Sequence, residues 1–397
     1  MNTVFDLREK KETDLYDKIW GYYGEEVQVI ALGKEDLTSC IGCWDCWLKT
    51  PGRCVIRDGM AESYSHYVNS DTVILLLDTA MGFINHRGKA LIDRLIPHYH
   101  PYIRVVEGEC RHLPRYSKLP DMVFYFDRQG LSIEEIQCIE DYLYRTAHQF
   151  NVKGFVIECD KDFTLKHLNH REAKMGRVPF EKVEPMEKLV IYNGSPRRMA
   201  SNSGLILKEV KERLGEKVEI RDLKKSDRWE DWAAKFRNER HVLLLMPLYV
   251  HGMPSHVMKF IESLVPSKGS ITFFVQSGFP ESSHSHYLEA YFEQLSRRLG
   301  RSYGGTIIKG GMEGLQMRPE DGQKAMIKPL VNVIEALVEE GSIPEVQLNR
   351  LAVPVKLSMK DRLFLKTGMI NFFWDQKLKK NDAYKLKNDR PYELPSV

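Results

Sequence analysis

The stretch LVIYNGSPRRMASNS, Leu189 to Ser203, decides the fold. Leu189 to Tyr192 is an apolar run of strand length, suited to a strand buried on both faces. It breaks at the turn Asn193-Gly194-Ser195-Pro196. The pattern then resumes as a helix whose start is marked by Ser201, Asn202 or Ser203. A strand that stops at a Gly/Ser turn and feeds a helix is the first unit of a parallel α/β sheet. Such a loop turns backbone N–H groups, hydroxyls and a helix N-terminus towards one spot, and Arg197 and Arg198 add positive charge there. That spot suits a phosphate. No GxGxxG follows the strand and no Gly-Lys-Ser/Thr closes the loop, so neither nucleotide fingerprint applies. A plain capped turn has the same composition, and this loop alone leaves both readings open.

The same alternation runs outward in both directions. Downstream, strands are expected at 218–221, 241–246, 270–276 and 305–308, with helices at 203–214, 229–236, 254–264, 284–299 and 320–340. Upstream, strands are expected at 3–7, 26–32, 72–77, 122–126 and 153–159, with helices at 13–22, 88–95 and 132–150. The last helix carries Ile133, Ile136, Ile139, Tyr142 and Leu143 at helical spacing, with Ser132 and Glu135 as a capping box. The fold class is therefore α/β, two tandem doubly wound parallel five-stranded sheets. Residues 1–160 form one domain, the charged, proline-bearing 161–187 a linker, and 188–342 the second domain. Residues 343–397 are a helical basic extension. A length of 397 residues suits two such cores.

Net charge is +3, too near balance to point to nucleic acid. It is uneven: Lys356 to Arg390 holds ten Lys/Arg against four Asp/Glu. There, Ser358 and Asp361 can cap a helix carrying Leu363, Phe364, Met369, Ile370, Phe373 and Trp374. It reads as a strut across a domain seam rather than a membrane-surface helix. The longest apolar runs are strand length, which predicts no transmembrane segment. The start, MNTVFDLREKK, has no apolar leader, and the seven cysteines are odd in number, so a reducing, cytoplasmic setting is expected.

Four of those cysteines form Cys40-x2-Cys43-x2-Cys46-x7-Cys54. Three thiolates at three-residue spacing wrap one side of a compact cubane, and a fourth returns from the next turn, which suits iron–sulfur ligation. Structural zinc more often takes two separated Cys-x2-Cys knuckles. A loop that only packs is the third option. His98, His100, Cys110 and His112 could make a metal site, but their scatter favours reading them as surface groups.

Three loops should meet at the switch point of a 2-1-3-4-5 sheet, at the carboxyl ends of the second half's first, third and fourth strands. They are the turn at 193–203, Met246-Pro247-Leu248-Tyr249-Val250-His251-Gly252-Met253-Pro254, and Gln276-Ser277-Gly278-Phe279-Pro280-Glu281. GSPR…SNS, PLYVHGMPSHVMKFIE and QSGFPES in this order resemble the NAD(P)H-dependent FMN reductase branch of the flavodoxin-like superfamily. The resemblance implies FMN phosphate at Ser195, Arg197, Ser201, Asn202 and Ser203. It implies the isoalloxazine edge at Pro247, Leu248, Tyr249 and Val250, and a ring flank at Ser277 and Gly278. The cysteine motif followed by CVIRDGM resembles the iron–sulfur flavoproteins on the same fold, which implies a [4Fe–4S] cluster held by Cys40, Cys43, Cys46 and Cys54.

The first half departs from that pattern. Where GSPR should stand it has Asp6-Leu7-Arg8-Glu9-Lys10-Lys11-Glu12-Thr13, with no glycine and with acids that repel a phosphate. The first half keeps cysteines and the second keeps flavin loops. The expected activity is that of an FMN-dependent oxidoreductase, an NAD(P)H-dependent flavin or quinone-type reductase or an electron-transfer flavoprotein. Its donor would be NAD(P)H or a ferredoxin-type protein and its acceptor a small molecule; a homo-oligomer is left open. No catalytic acid–base pair stands out. A non-catalytic electron carrier, or a redox sensor with an empty cysteine motif, are the competing classes.

Overall fold

In the computed structural model, which describes residues 1–9, 13–24, 26–33, 37–150, 154–158, 164–167 and 178–394, the apolar runs become parallel strands. Contacts divide the chain into two compact units, residues 1–171 with 359–397, and residues 172–358. Of the expected linker, residues 161–163 and 168–177 lie outside the described residues, as do Lys10, Lys11 and Glu12.

The first unit is built on β1 (Asn2–Asp6), β2 (Val27–Ala31), β3 (Thr72–Leu77), two hairpins, β8 (Asp121–Phe126), β9 (Gly154–Glu158) and β10 (Thr164–His167). The hairpins are β4 (Thr79–Ala80) with β5 (Phe83–Ile84), and β6 (Tyr99–Val106) with β7 (Glu109–Pro114). The sheet order is β10-β9-β8-β3-β1-β2, parallel throughout except for β10 on the edge. Val73 to Leu77 are all buried, as a strand covered by helices on both faces requires. The helices are α1 (Thr13–Tyr23), α2 (Asp45–Leu48), α3 (Met60–Asn69), α4 (His86–Arg94) and α5 (Ile133–Gln149). Ser132 and Glu135 close the capping box at the start of α5.

The β6–β7 hairpin fills the connection read as bearing surface histidines, and that reading is corrected here. His98 and Cys110 are fully buried and His100 nearly so. His98 stacks on Tyr67 with ring centroids 4.8 Å apart.

The second unit has β11 (Leu189–Asn193), β12 (Val218–Asp222), β13 (His241–Pro247), β14 (Ser270–Gln276) and β15 (Ser302–Lys309), all parallel in the order β12-β11-β13-β14-β15. This is the 2-1-3-4-5 winding of the flavodoxin-like fold. Its helices are α6 (Asn202–Leu214), α7 (Trp229–Phe236), α8 (Ser255–Glu262), α9 (Ser283–His286), α10 (Leu288–Arg298), α11 (Glu320–Glu340) and α12 (Glu345–Leu351). Ile191, Leu243, Leu245, Phe274 and Ile307 of the sheet pack against Ile206, Leu207 and Val210 of α6 and Leu330, Ile334 and Leu337 of α11. That layer fixes the start of α6 at the sheet's carboxyl edge.

The basic extension does not behave as one segment. Residues 343–358 stay with the second unit, where Pro354 and Val355 accept hydrogen bonds from the Ser282 and Ser283 amides. From Met359 the chain rejoins the first unit as α13 (Met359–Lys366) and α14 (Met369–Lys380), broken at Gly368, whose φ is 75°. Trp374 and Leu378 of α14 are buried against Trp47 and Leu48 of α2. The expected seam strut is thus two helices within one unit, α13 beside β6 and α14 against β6 and the cysteine segment. Among the described residues no helix is long and apolar enough to cross a membrane.

Candidate functional site

The register of the second sheet brings its strand ends level. Asn193 pairs with Leu245, and Pro247 with Gln276. The first loop leaves β11 with the Gly194 amide bonded to Leu245 O at 2.7 Å. A Cβ on Gly194 would lie 2.8 Å from Val257 Cγ2 and 2.9 Å from Met246 Cβ, so this approach requires glycine. The Ser195 amide donates to Asn193 Oδ1 at 3.1 Å, an Asx turn whose acceptor is neutral. Beneath the loop, burial and the nearby Lys224 charge push the His256 imidazole down to about 3.

The residues expected on the phosphate side separate into two groups. Ser201 is the N-cap of α6: its hydroxyl accepts from the Gly204 amide at 3.1 Å and donates to Arg198 O at 2.5 Å. The buried Ser203 hydroxyl accepts from Gln276 Nε2 at 2.8 Å and ties the helix start to β14. Ser195, half-buried Arg197 and Asn202 stand round the turn itself. Asn202 Nδ2 donates to Met312 O at 2.6 Å. Gln276 Oε1, buried at the end of β14, has no hydrogen-bond partner among the described residues.

In the second loop, the Leu248 amide donates to Gln276 O, and Tyr249 and Gly252 exchange backbone hydrogen bonds of 2.9 and 2.8 Å. Between them Val250 and His251 both lie in the left-handed region, at φ 36° and 57°, as the two central residues of a hairpin-type turn. A β-branched residue held there stores strain of about 1–3 kcal/mol, a pattern concentrated at ligand sites. In the third loop, the Ser277 amide donates to Lys309 O, and Ser277 O accepts from Met312 N at 2.9 Å. A Cβ on Gly278 would fall 2.6 Å from Glu313 Oε2.

The loop after β15 and the pairing of Glu281 with His284 went unread in the sequence, which had offered His251 and His284 only as residues of the flavin loops. The loop after β15, with Met312 and Glu313, is a fourth wall of the site. Behind the second and third loops lies a buried group in which His284 Nε2 is 2.9 Å from Glu281 Oε1. The His251 and His284 rings lie 4.7 Å apart there. The Glu-x-x-His spacing at the start of α9 was the available signal.

At the matching strand end of the first unit, the chain fills the position itself. The Arg8 amide donates to Asp6 Oδ1 at 3.0 Å, and the Arg8 guanidinium reaches both Asp6 oxygens at 3.1 Å. Tyr16 OH donates to the same carboxylate, and the Glu9 amide donates to Asp78 Oδ2 at 2.7 Å. Carboxylates of the protein therefore occupy N–H groups that a phosphate would need. The described residues there do not suit a flavin phosphate.

The cysteine segment turns twice through left-handed residues, Gly42 and Trp44, before α2, and once more at Gly52. Cys40, Cys46 and Cys54 are half-buried and Cys43 is exposed. Burial pushes the Cys40 thiol up to about 12 and raises Cys46 well above the usual thiol range, with neighbouring cysteines adding to both shifts. The charges of Cys40, Cys54 and Cys43, when ionised, are part of what raises Cys46. Arg94, paired with Asp58 at 2.6 Å, and buried Arg115 bring positive charge near these cysteines. Among the described residues no three His, Cys, Asp or Glu side chains stand together as a ready metal-ligand group. An all-sulfur donor set beside positive charge is the donor chemistry that an anionic iron–sulfur centre takes.

No protein-family profile matches the chain, and no curated protein matches it. Among solved structures, an FMN-dependent NADH-azoreductase from Bacillus anthracis in complex with FMN is 14% identical. The match covers 38% of this chain and 100% of that one, with a TM-score of 0.30. A NADPH-quinone reductase from P. pentosaceus is 13% identical over 38% of this chain and 96% of its own, with a TM-score of 0.29. General stress protein 14 from Treponema denticola, in complex with FMN, is 12% identical over 36% and 98%, also with a TM-score of 0.29.

Proposed function

We propose that the chain is an FMN-dependent oxidoreductase whose flavin binds at the carboxyl edge of the second unit's sheet. One observation carries this. Three loops converge at the switch point, and the phosphate turn there is closed by the Asn193 amide rather than by a carboxylate. Ser195, Arg197 and the Asn202 backbone would face the phosphate, while Ser201 and Ser203 hold the turn and helix start in shape. Pro247 to Val250 would edge the ring, with Ser277 and Gly278 on its flank. Bound there, the flavin supplies hydride and single-electron chemistry, and the protein orients it and limits water. NAD(P)H would be the donor and a small molecule the acceptor. Titration with FMN, followed by quenching of its fluorescence, tests the reading. Saturable binding that Gly194→Val abolishes supports it, and unquenched FMN with the intact chain overturns it.

The first unit would hold a [4Fe–4S] cluster on Cys40, Cys43, Cys46 and Cys54. Their all-sulfur composition and three-residue spacing support this. Iron and acid-labile sulfide measured in anaerobically purified protein are the test. If both are absent, the cysteines are left as redox-responsive thiols.

A further inference from the structure

The end of the chain returns to the cysteine turn and covers it. Trp374 meets Trp44 and Trp47 edge-on, each with ring centroids 5.7 Å apart. Cys46 packs against the same cluster. Pro391 lies on the Gly52 turn between Cys46 and Cys54, so closely that a Cβ on Gly52 would fall 2.8 Å from its Cδ. Tyr392 stacks on Tyr64, centroids 5.2 Å apart, and Tyr64 is a neighbour of the Cys54 thiol.

The segment is fastened by specific bonds rather than by apolar contact alone. The buried Arg115 guanidinium donates to Lys387 O at 2.8 Å and Asp389 O at 3.1 Å. Asn69 donates to Tyr392 O at 2.8 Å and accepts from the Leu394 amide at 3.1 Å. A guanidinium buried to hold two main-chain carbonyls fixes a path for the backbone, which a passive tail does not need.

We propose that residues 373–394 form the outer wall of the cysteine site, covering Cys46 and Cys54 and leaving the Cys43 edge as the point of access. The use of this wall rests on the iron–sulfur reading, where it would keep oxidants and chelators from the metal and pass electrons at Cys43. The wall itself does not depend on that reading, so it is tested on the metal-free chain. Folded protein is treated with a bulky maleimide and each cysteine's rate is read by mass spectrometry. In the intact chain Cys43 should react at least about tenfold faster than Cys46 and Cys54, because access limits the rate. Arg115→Gln, and separately Pro391→Gly with Tyr392→Ala, should raise the Cys46 and Cys54 rates about tenfold and leave Cys43 unchanged. Buried Cys110 and Cys138 report folding within the same digest, since they stay unlabelled while the unit is intact. Equal rates at Cys43, Cys46 and Cys54 in the intact chain overturn the wall. So do unchanged rates in a variant whose Cys110 and Cys138 remain protected. Where iron is present, its release to a chelator should quicken in the same variants. A chain that takes up no iron would defeat the cluster while the labelling still decides the wall.

Discussion

Asp6 and Asn193 end the first strands of their units and make the same bond, accepting the amide of the residue two positions on. They differ in that one is a carboxylate and the other a carboxamide. At about 4 Å and an effective dielectric of about 20, two like charges cost roughly 4 kcal/mol. Asn193→Asp should therefore weaken FMN binding by about a hundredfold or more, measured by fluorescence titration. In the first unit, Asp6→Asn should not create a flavin site, because Arg8 would lose its buried partner. Removing one member of such a pair costs about 3 kcal/mol or more, readable by urea unfolding. Burial alone would lift the Asp6 pKa, but the hydrogen bonds from Arg8 and Tyr16 outweigh it and hold the pKa below 3.8. A lowered acid pKa contributes stability that is complete above the unfolded-state value and lost as pH falls through the folded one. Wild-type stability should fall as pH drops below about 4, and Asp6→Asn should flatten that fall. The sequence showed the acids and the missing glycine at Asp6 to Glu9. It did not show that Arg8 would turn back on Asp6, because that needs the strand end in place.

At the scale of elements, legibility followed the strength of local chemistry. α5 could be read because Ser132, Glu135 and an apolar stripe agree, and Ser132→Ala should cost about 1 kcal/mol without altering FMN titration. The start of α6 was visible for the same reason, though only the structure separates Ser201 as the cap from its neighbours. The β6–β7 hairpin was not legible, since Pro101, Pro114 and its charged residues hide the period of two. The loop at 246–254 was read as a turn, but the left-handed pair Val250 and His251 inside it was not, because it lacks the Asn-Gly pair that usually marks such residues. Gly194 tests how far an element can act on a ligand it need not touch. Its missing Cβ admits Val257 and Met246. Gly194→Ala should displace the loop and weaken FMN binding even though no ligating group is removed, while far-UV circular dichroism stays native.

For the whole molecule, the consequential pattern is that each unit keeps what the other lacks. The sheets of both units share the 2-1-3-4-5 order among their parallel strands. Among the described residues the turn closed by a carboxamide is in the second unit, and the four-cysteine turn lies in the first. This division was open to view in the sequence, since it depends on residue types at strand ends. What the sequence concealed was the destination of the tail, because α13 and α14 have apolar residues that do not say which surface they cover. If the division is functional, flavin and iron should load independently. Purified chain should carry one FMN rather than two, because Asp6 and Arg8 occupy the first unit's position. Asn193→Asp should remove the flavin and leave iron content unchanged, and Cys46→Ser should lower iron while leaving one FMN per chain. Absorbance of released FMN and a colorimetric iron assay on the same samples measure both. Two flavins per chain would mean that the Asp6–Arg8 pair yields to a phosphate. Loss of both groups in either variant would mean that the two sites do not form separately.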